Sequence, residues 1–272
     1  MTAVSGPDTL APAHRRDRAG GRARTMVERN VMIYRHTWLL LLAEILEPVL
    51  YLLSFGVGIG TLVGHVPGLG SGSVRYPEFV APALLATAAM NGSMNETTFN
   101  MFGKLKTDRT YESILTTPMT VRDVALGEVA WALLRGTLVT VGFLVVVTLF
   151  GMVHTPWALL VLPGALLIGF AFASAGLLVV TWLRSWQDFQ LIQLVMLPMF
   201  LFATTFYPLG VYPRPLQLLV ECLPLYQSIE LVRQPFLGTV GPQLLVPACY
   251  LAVLGTLALT VAVGRLDRTL RT

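Results

Sequence analysis

Long apolar runs separated by short polar segments dominate the pattern of this chain. A helix needs roughly 20 apolar residues to cross a hydrocarbon core of about 30 Å, and in lipid it satisfies its own backbone hydrogen bonds. The pattern therefore predicts an all-α, polytopic membrane protein with six transmembrane helices, at about residues 38–63, 79–101, 131–152, 157–182, 189–207 and 243–263.

The two ends of the chain depart from this apolar pattern. Residues 1–24 are rich in Ala, Gly, Pro and Arg, and they predict a disordered cytoplasmic tail because they cannot bury a core. Residues 25–37 mix apolar and charged side chains, which predicts an N-terminal amphipathic helix at the membrane interface. The transmembrane domain is thus expected over residues 25–265, with a cytoplasmic C-terminal tail at 266–272.

The uneven distribution of basic residues sets the expected orientation. With the amino terminus inside, 16 of the 19 Lys and Arg residues fall in segments on the cytoplasmic side. Cytoplasmic loops of membrane proteins carry such an excess. We therefore predict a multi-pass protein of the cell inner or plasma membrane with both termini in the cytoplasm. The sequence pI near 9.3 follows from this topology and does not indicate nucleic-acid binding.

Composition and missing motifs argue against several function classes. Only 12% of the residues are charged, against about 25% in soluble domains, so no sizeable soluble domain is expected. The chain has no GxxxxGK[ST] phosphate loop and no HExxH motif, and its four histidines are scattered. Cys222 and Cys249 lack metal-ligand spacing. We therefore expect no catalytic, cofactor-binding or metal-binding residue in this chain.

Three carboxylates lie inside predicted spans. Glu44 and Glu47 are three residues apart on one face of the first span, and Glu96 lies in the second. Buried carboxylates are costly and can serve in proton relays. The alternative, which we favour, is that they lie near the cytoplasmic interface within reach of Lys or Arg. Asp188, at the start of the fifth span, is expected to cap its helix.

The predicted outer segment 208–242 contains six prolines and many large apolar residues. The prolines divide it into short pieces, and residues 216–223 and 226–234 can each form a half-helix. Backbone that enters the membrane without spanning it must be surrounded by protein. We predict a re-entrant helical segment packed on the fifth and sixth spans, with a plain extracellular loop as the alternative.

The long cytoplasmic segment 102–130 carries both charges and apolar side chains. Residues 107–116 predict a short helix along the membrane face. Tyr111, Ile114 and Leu115 recur every three to four residues, which gives this helix one apolar face suited to docking on a partner. A solvated loop is the simpler alternative for such a segment. Residues 121–135 predict a second helix that leads into the third span.

The chain resembles the ABC-2 type transporter permeases, and most closely the branch of nodulation-type lipo-oligosaccharide exporters and drug exporters. The likeness covers about residues 25–265 and rests on the order and spacing of several short stretches. These are Glu47 to Leu53, Asp108 to Glu112, Leu115, Thr117-Pro118, Arg122-Asp123, Leu126 to Glu128, Phe202 to Pro208, Leu223 to Tyr226, and Glu230 to Arg233.

The resemblance implies the transmembrane permease subunit of an ABC exporter, not an enzyme. Such a subunit would move an amphipathic substrate, such as a lipid-linked glycan, a glycolipid or a hydrophobic drug, out of the cytoplasm. It would pair with a second permease, as a homodimer or heterodimer, and with two copies of a separate ATP-binding subunit that holds Mg-ATP. A polytopic membrane enzyme acting on lipids and a stand-alone secondary transporter are the alternatives.

Two sets of site residues follow from the resemblance. The ATPase-docking helix, or coupling helix, would comprise Asp108, Arg109, Thr110, Tyr111, Glu112, Leu115, Thr117 and Pro118. The candidate residues of the substrate path or its gate are Glu44, Glu47, Tyr51, Tyr226, Gln227, Glu230 and Arg233.

Overall fold

The computed structural model describes residues 27–32, 38–67, 73–107 and 119–271, and these ranges are mostly helical. The predicted tail 1–24 lies outside the described residues. Of the predicted interfacial helix, residues 27–32 are described and are helical, while its position at a membrane interface stays a prediction.

The described residues form eight main α-helices. In chain order they are α1 (Trp38–Tyr51), α2 (Tyr76–Asn95), α3 (Val121–Leu149), α4 (Val161–Val180), α5 (Phe189–Phe202), α6 (Arg214–Glu221), α7 (Pro224–Phe236) and α8 (Leu245–Arg271). Short helical turns extend several of them: Leu52–Val57 and Gly60–Val63 after α1, Glu96–Asn100 and Gly103–Thr107 after α2, Pro156–Leu160 before α4, and Trp186–Asp188 before α5.

A small hairpin between α1 and α2 departs from the predicted all-α class. Strand β1 (His65–Pro67) pairs antiparallel with β2 (Ser73–Arg75), with His65 opposite Arg75. Three residues per strand are too few for a period-two pattern to be recognised in the sequence. The fold is therefore a helical bundle with one short hairpin at the end where α1 finishes.

Helix α2 lies at the centre of the bundle and packs on α1, α3, α4 and α7. Most of its side chains are buried, among them Val80, Ala81, Ala83 and Ala86. The many alanines allow the surrounding helices to approach closely. Helix α5 is the opposite case, because only Ile192 and Met196 are buried along its length.

In the described part of the chain, four helices are long and apolar enough to cross a membrane. They are Leu41–Val63, Val121–Leu149, Pro156–Val180 and Pro242–Arg268. The predicted span 79–101 falls within α2 and its extension. This helix is enclosed by protein, so it could cross a membrane without an apolar outer surface. The predicted span 189–207 contains α5, whose 14 residues extend for only about 21 Å. The count of six spans thus stays a prediction.

The predicted loop 102–130 is shorter in the structure, because both flanking helices extend into it. The helix that contains α2 continues through residue 107, and α3 begins at Val121. A capping box starts α3: Asp123 N–H donates to the Thr120 hydroxyl at 3.3 Å, and Thr120 N–H donates to the Asp123 carboxylate at 3.0 Å. The expected helix over 121–135 is confirmed.

The segment 208–242, which is predicted to lie outside, folds into the two short helices that its prolines predict. Helices α6 and α7 have 8 and 13 residues, which corresponds to about 12 and 20 Å, so neither is as long as the apolar core of a bilayer. Cys222 lies in the turn between α6 and α7. Its carbonyl accepts a hydrogen bond of 2.8 Å from the hydroxyl of Tyr250, in the second turn of α8. Helix α7 also packs on α2 and α4.

At the start of α5, the expected cap is wrong in its form, because Asp188 stands at the N-cap position but its side chain accepts no N–H group of α5. Asp188 is instead the third residue of a capping box that begins the preceding turn, Trp186–Asp188. The Asp188 carboxylate accepts the backbone N–H groups of Arg184 at 2.8 Å and Ser185 at 3.1 Å. These two bonds hold the pKa of Asp188 below its usual value, since they favour the charged carboxylate.

Close packing of α8 against α4 generates a stability prediction. A Cβ on Gly255 would lie 2.6 Å from the Phe170 ring and 3.1 Å from the Ala171 Cα, whereas one on Gly264 would meet nothing within 4 Å. We therefore expect Gly255→Ala to destabilise the protein by about 1–3 kcal/mol through overpacking. Thermal unfolding of the purified chain in mild detergent measures this. Gly264→Ala is the matched control, and equal stability of the two variants would contradict the α4–α8 packing.

Candidate functional site

A cluster of charged side chains joins α1, α2 and α3. The guanidinium of Arg135, on α3, donates to the Glu44 carboxylate on α1, with Nε 3.2 Å from Oε2, and also to the Glu96 carboxylate. Trp131 Nε1 and Asn100 Nδ2 donate to Glu96 at 2.9 and 2.7 Å. One arginine therefore connects three helices.

Burial makes the pairing necessary. Arg135 and Glu96 are buried and Glu44 is half-buried. A charge removed from water is tolerated only when it is paired and hydrogen-bonded. Glu96 opens the π-helical turn Glu96–Asn100, and such turns are frequent at functional sites. The expected pairing with a basic residue is confirmed for Glu44 and Glu96.

A polar cavity of about 250 Å³ lies beside the charge cluster, between α1, α2 and α5. Three of the predicted path residues, Glu44, Glu47 and Tyr51, line it from α1. Gln193 faces it from α5, and both Glu47 and Gln193 are exposed. The cavity therefore offers carboxylate, hydroxyl and amide groups beside apolar side chains such as Leu84 and Phe200.

The α2 wall of this cavity was missed by the sequence reasoning. Thr87, Asn91 and Asn95 line it, and they recur every four residues along α2. Residues four apart share one face of a helix. A polar stripe at this spacing inside a predicted span is the signal that could have identified the wall.

The predicted docking residues lie outside the described residues. This holds for Asp108, Arg109, Thr110, Tyr111, Glu112, Leu115, Thr117 and Pro118. The structure describes the chain on both sides of them, as helix up to residue 107 and again from residue 119, with α3 beginning at Val121.

A second polar cluster, the loop-base clamp, joins the two ends of that segment. Lys104 Nζ lies 2.8 and 3.0 Å from the two carboxylate oxygens of Glu128 near the start of α3. Asn30 Nδ2 donates to the same carboxylate at 3.4 Å and its Oδ1 accepts from Lys104 at 3.4 Å. Asn30 and Glu128 are buried. The clamp thus ties residues 27–32 to both helices that flank residues 108–118.

The other predicted path residues lie on α7, away from the polar cavity. Arg233 is buried and donates to the Thr204 carbonyl at 2.7 Å, and its Nη1 lies 3.2 Å from Glu230. Its guanidinium also lies over the Phe79 ring, 4.0 Å from the centroid. Arg233 therefore ties α7 to α2 and to the segment after α5. Thr204 has φ +61°, an uncommon value for a residue other than glycine, and its carbonyl is fixed by this bond.

Tyr226 and Gln227 occupy the first turn of α7. The Gln227 side chain donates to the Glu221 carbonyl at 2.7 Å, which closes the turn between α6 and α7. Tyr226 is half-buried and packs against the core. The structure thus divides the predicted path residues into a group at the polar cavity and a group on α7.

The charge cluster generates a prediction about stability. Arg135→Met leaves the Glu96 carboxylate buried without its ion pair, and breaking a buried pair costs about 3–5 kcal/mol. We expect a marked fall in the melting temperature of the purified chain in detergent. Arg122→Met, at an exposed position on the same helix, is the control and should melt like the wild type.

A double variant distinguishes charge from packing. Adding Glu96→Gln to Arg135→Met should recover part of the lost stability, because the uncompensated charge is then removed. A double variant less stable than Arg135→Met alone would contradict the ion-pair account.

Comparison with known proteins identifies the ABC-2 type transporter family over most of the chain. The family model for the ABC-2 type transporter matches residues 22–237. Nodulation protein J of Rhizobium leguminosarum bv. viciae is 35% identical over 199 residues, which cover 73% of this chain and 75% of that protein. Nodulation protein J of Rhizobium meliloti (strain 1021) is 34% identical over 220 residues, 78% of this chain and 81% of that protein.

A further relative is named as a transport protein. Inner membrane transport permease YadH of Escherichia coli (strain K12) is 28% identical over 203 residues, which cover 73% of this chain and 75% of that protein. The family model covers well over half of the chain, and the four apolar helices are of membrane-spanning length. The chain therefore belongs to the ABC-2 type transporter family, as a membrane permease.

Proposed function

We propose that this permease is the membrane subunit of an ATP-driven exporter that moves an amphipathic substrate out of the cytoplasm. A lipid-linked glycan, a glycolipid and a hydrophobic drug are the candidate cargoes. The polar cavity between α1, α2 and α5 carries the proposal. Its amides, hydroxyls and carboxylates can form hydrogen bonds with the polar head group of a substrate, and the hydrocarbon core of the membrane cannot. The family description and the name of the Escherichia coli relative support transport as the activity.

The energy source in this proposal is a separate ATP-binding subunit that holds Mg-ATP. Two copies would dock on the coupling helices of two paired permeases, each through residues 107–117. Arg109 and Glu112 would make charged contacts, and Tyr111 and Leu115 would provide the apolar anchor. The loop-base clamp supports this role, because it ties both flanks of the segment together.

The same clamp suggests how movement would reach the cavity. A displaced docking segment would move α3 and the α2 extension together, since Lys104 and Glu128 join them. Arg135, two turns further along α3, would carry that displacement to Glu44 and hence to the α1 wall of the cavity. Rigid helices with few fixed joints are a common means of such coupling.

The topology that fits this function has six spans and both termini in the cytoplasm. Helices α2 and α5 would complete the count, with α2 enclosed by protein. Helices α6 and α7 would lie in the outer half of the membrane as a re-entrant pair.

Co-purification tests the proposed docking. We expect the full-length permease, expressed in its own cells and solubilised in mild detergent, to retain an ATPase with a phosphate loop. Tyr111→Ala combined with Leu115→Ala should reduce the bound ATPase at least tenfold, because it removes the apolar anchor. Quantitative mass spectrometry of the purified complex gives the ratio.

The matched control is Leu218→Ala with Leu219→Ala, which removes two exposed large side chains from α6. It should leave the ATPase ratio unchanged. A stable, folded permease that brings down no ATPase would contradict the proposed function. ATPase retained equally by both double variants would contradict the docking site alone.

A further inference from the structure

An apolar groove of about 590 Å³ runs between α4 and α5. It opens to the surface of the bundle, where Leu191 and Val195 are 63% and 67% exposed. A volume of this size is in the range of ligand sites, roughly 300–1,000 Å³. The walls are almost entirely apolar and include Phe172, Ala175, Val179, Ile192, Val195 and Met199.

One end of the groove is polar and basic. Trp182, Arg184 and Asp188 line this end, and Trp182 and Arg184 are exposed. The Arg265 guanidinium lies over the Trp182 ring, 4.8 Å from its centroid, and its Nε donates to the Thr181 hydroxyl at 3.2 Å. Trp182 and Arg184 thus lie where the apolar walls end, and Arg265 packs on the Trp182 ring.

The Asp188 carboxylate at this end is hydrogen-bonded to backbone N–H groups. Asp188 Oδ2 accepts the N–H groups of Arg184 and Ser185, which fixes the loop between α4 and α5. The loop conformation places the Arg184 residue at the mouth of the groove. Arg184 lines the groove beside Trp182, and the Arg265 guanidinium, which lies over the Trp182 ring, adds a second basic group next to this end.

The dimensions of the groove match one leaflet of a bilayer. From Phe172 to Trp182, α4 and the turn that follows it cover ten residue steps, or about 15 Å at 1.5 Å per residue. Half of a hydrocarbon core of about 30 Å has the same depth. An acyl chain lying in the groove would therefore have its head group level with Trp182 and Arg184. Tryptophan and basic residues are typical of that level of a membrane.

We propose that this groove is a binding site for an anionic membrane phospholipid. One acyl chain lies between α4 and α5, and the phosphate binds Arg184 beside Trp182. The lipid fills the space beside α5. This helix buries few side chains against the rest of the bundle, since only Ile192 and Met196 are buried. The site does not depend on the cargo, because its walls carry none of the polar groups that line the α1–α2–α5 cavity.

Native mass spectrometry of the full-length chain in mild detergent tests the site. The chain is first delipidated and then mixed with equal amounts of dioleoyl phosphatidylglycerol and dioleoyl phosphatidylcholine. We expect the wild type to retain one phosphatidylglycerol at least fivefold more often than one phosphatidylcholine. Arg184→Gln should abolish this preference, whereas Arg122→Gln, an equal change of charge on α3, should keep it.

A variant that fills the groove distinguishes binding of the acyl chain in the groove from attraction of the lipid head group to surface charge. Ala175→Trp should reduce binding of both lipids at least fivefold, because the indole occupies the groove. Val179→Trp serves as a second filling variant if Ala175→Trp lowers the melting temperature.

Three results would overturn the proposal. Equal retention of the two lipids by the wild type would remove the anionic site. Equal behaviour of the Arg184 and Arg122 variants would assign any preference to general surface charge. A filling variant that keeps its lipid but changes from dimer to monomer mass in the same spectrum would make the groove an interface between copies of this chain.

Discussion

The ion pairs of Arg135 with Glu44 and Glu96 are the interaction on which the arrangement of the first three long helices depends. Their partners are separated by 91 and 39 residues along the chain, so no local preference could bring them together. Because the cluster is buried, each member is stable only while the others are present. The same pairs fix the α1 wall of the polar cavity, since Glu44 belongs to both. The ion pairs therefore set the position of the α1 wall.

Around this joint, the helices divide into a well-packed part and a loosely held one. Helices α2, α4 and α8 pack closely with α7 or with each other, and Arg233 ties α7 to α2 by its contact with Phe79. Helix α5 has a polar cavity on one side and an apolar groove on the other, and Met196 lines both. A helix with so few buried side chains can shift at low cost. We infer that α5 is the movable wall of a water-accessible path through the polar cavity.

The apolar periodicity and the prolines were sufficient to predict the long helices and the two short helices within 208–242. They did not show that the Asp188 carboxylate would accept from the residues before it and not from α5. The sequence could not show that Arg135 is the partner of Glu44 and Glu96. It falls near the edge of a predicted span, where a basic residue is ordinarily read as part of a loop. The clamp of Lys104, Glu128 and Asn30 was likewise hidden, because it joins three segments distant in sequence. The hairpin was missed because strands of three residues leave no pattern.

Cysteine accessibility on α5 tests most directly whether the polar cavity is the aqueous path. Single cysteines would replace Gln193, which faces the cavity, or Leu194, its exposed neighbour outside the cavity lining, in a chain with Cys222 and Cys249 changed to serine. A water-soluble maleimide reacts with thiolates, which form in water and not in lipid. In open membrane sheets, the account predicts that the cysteine at 193 is modified at least tenfold faster than the one at 194. Equally slow modification of both would contradict it.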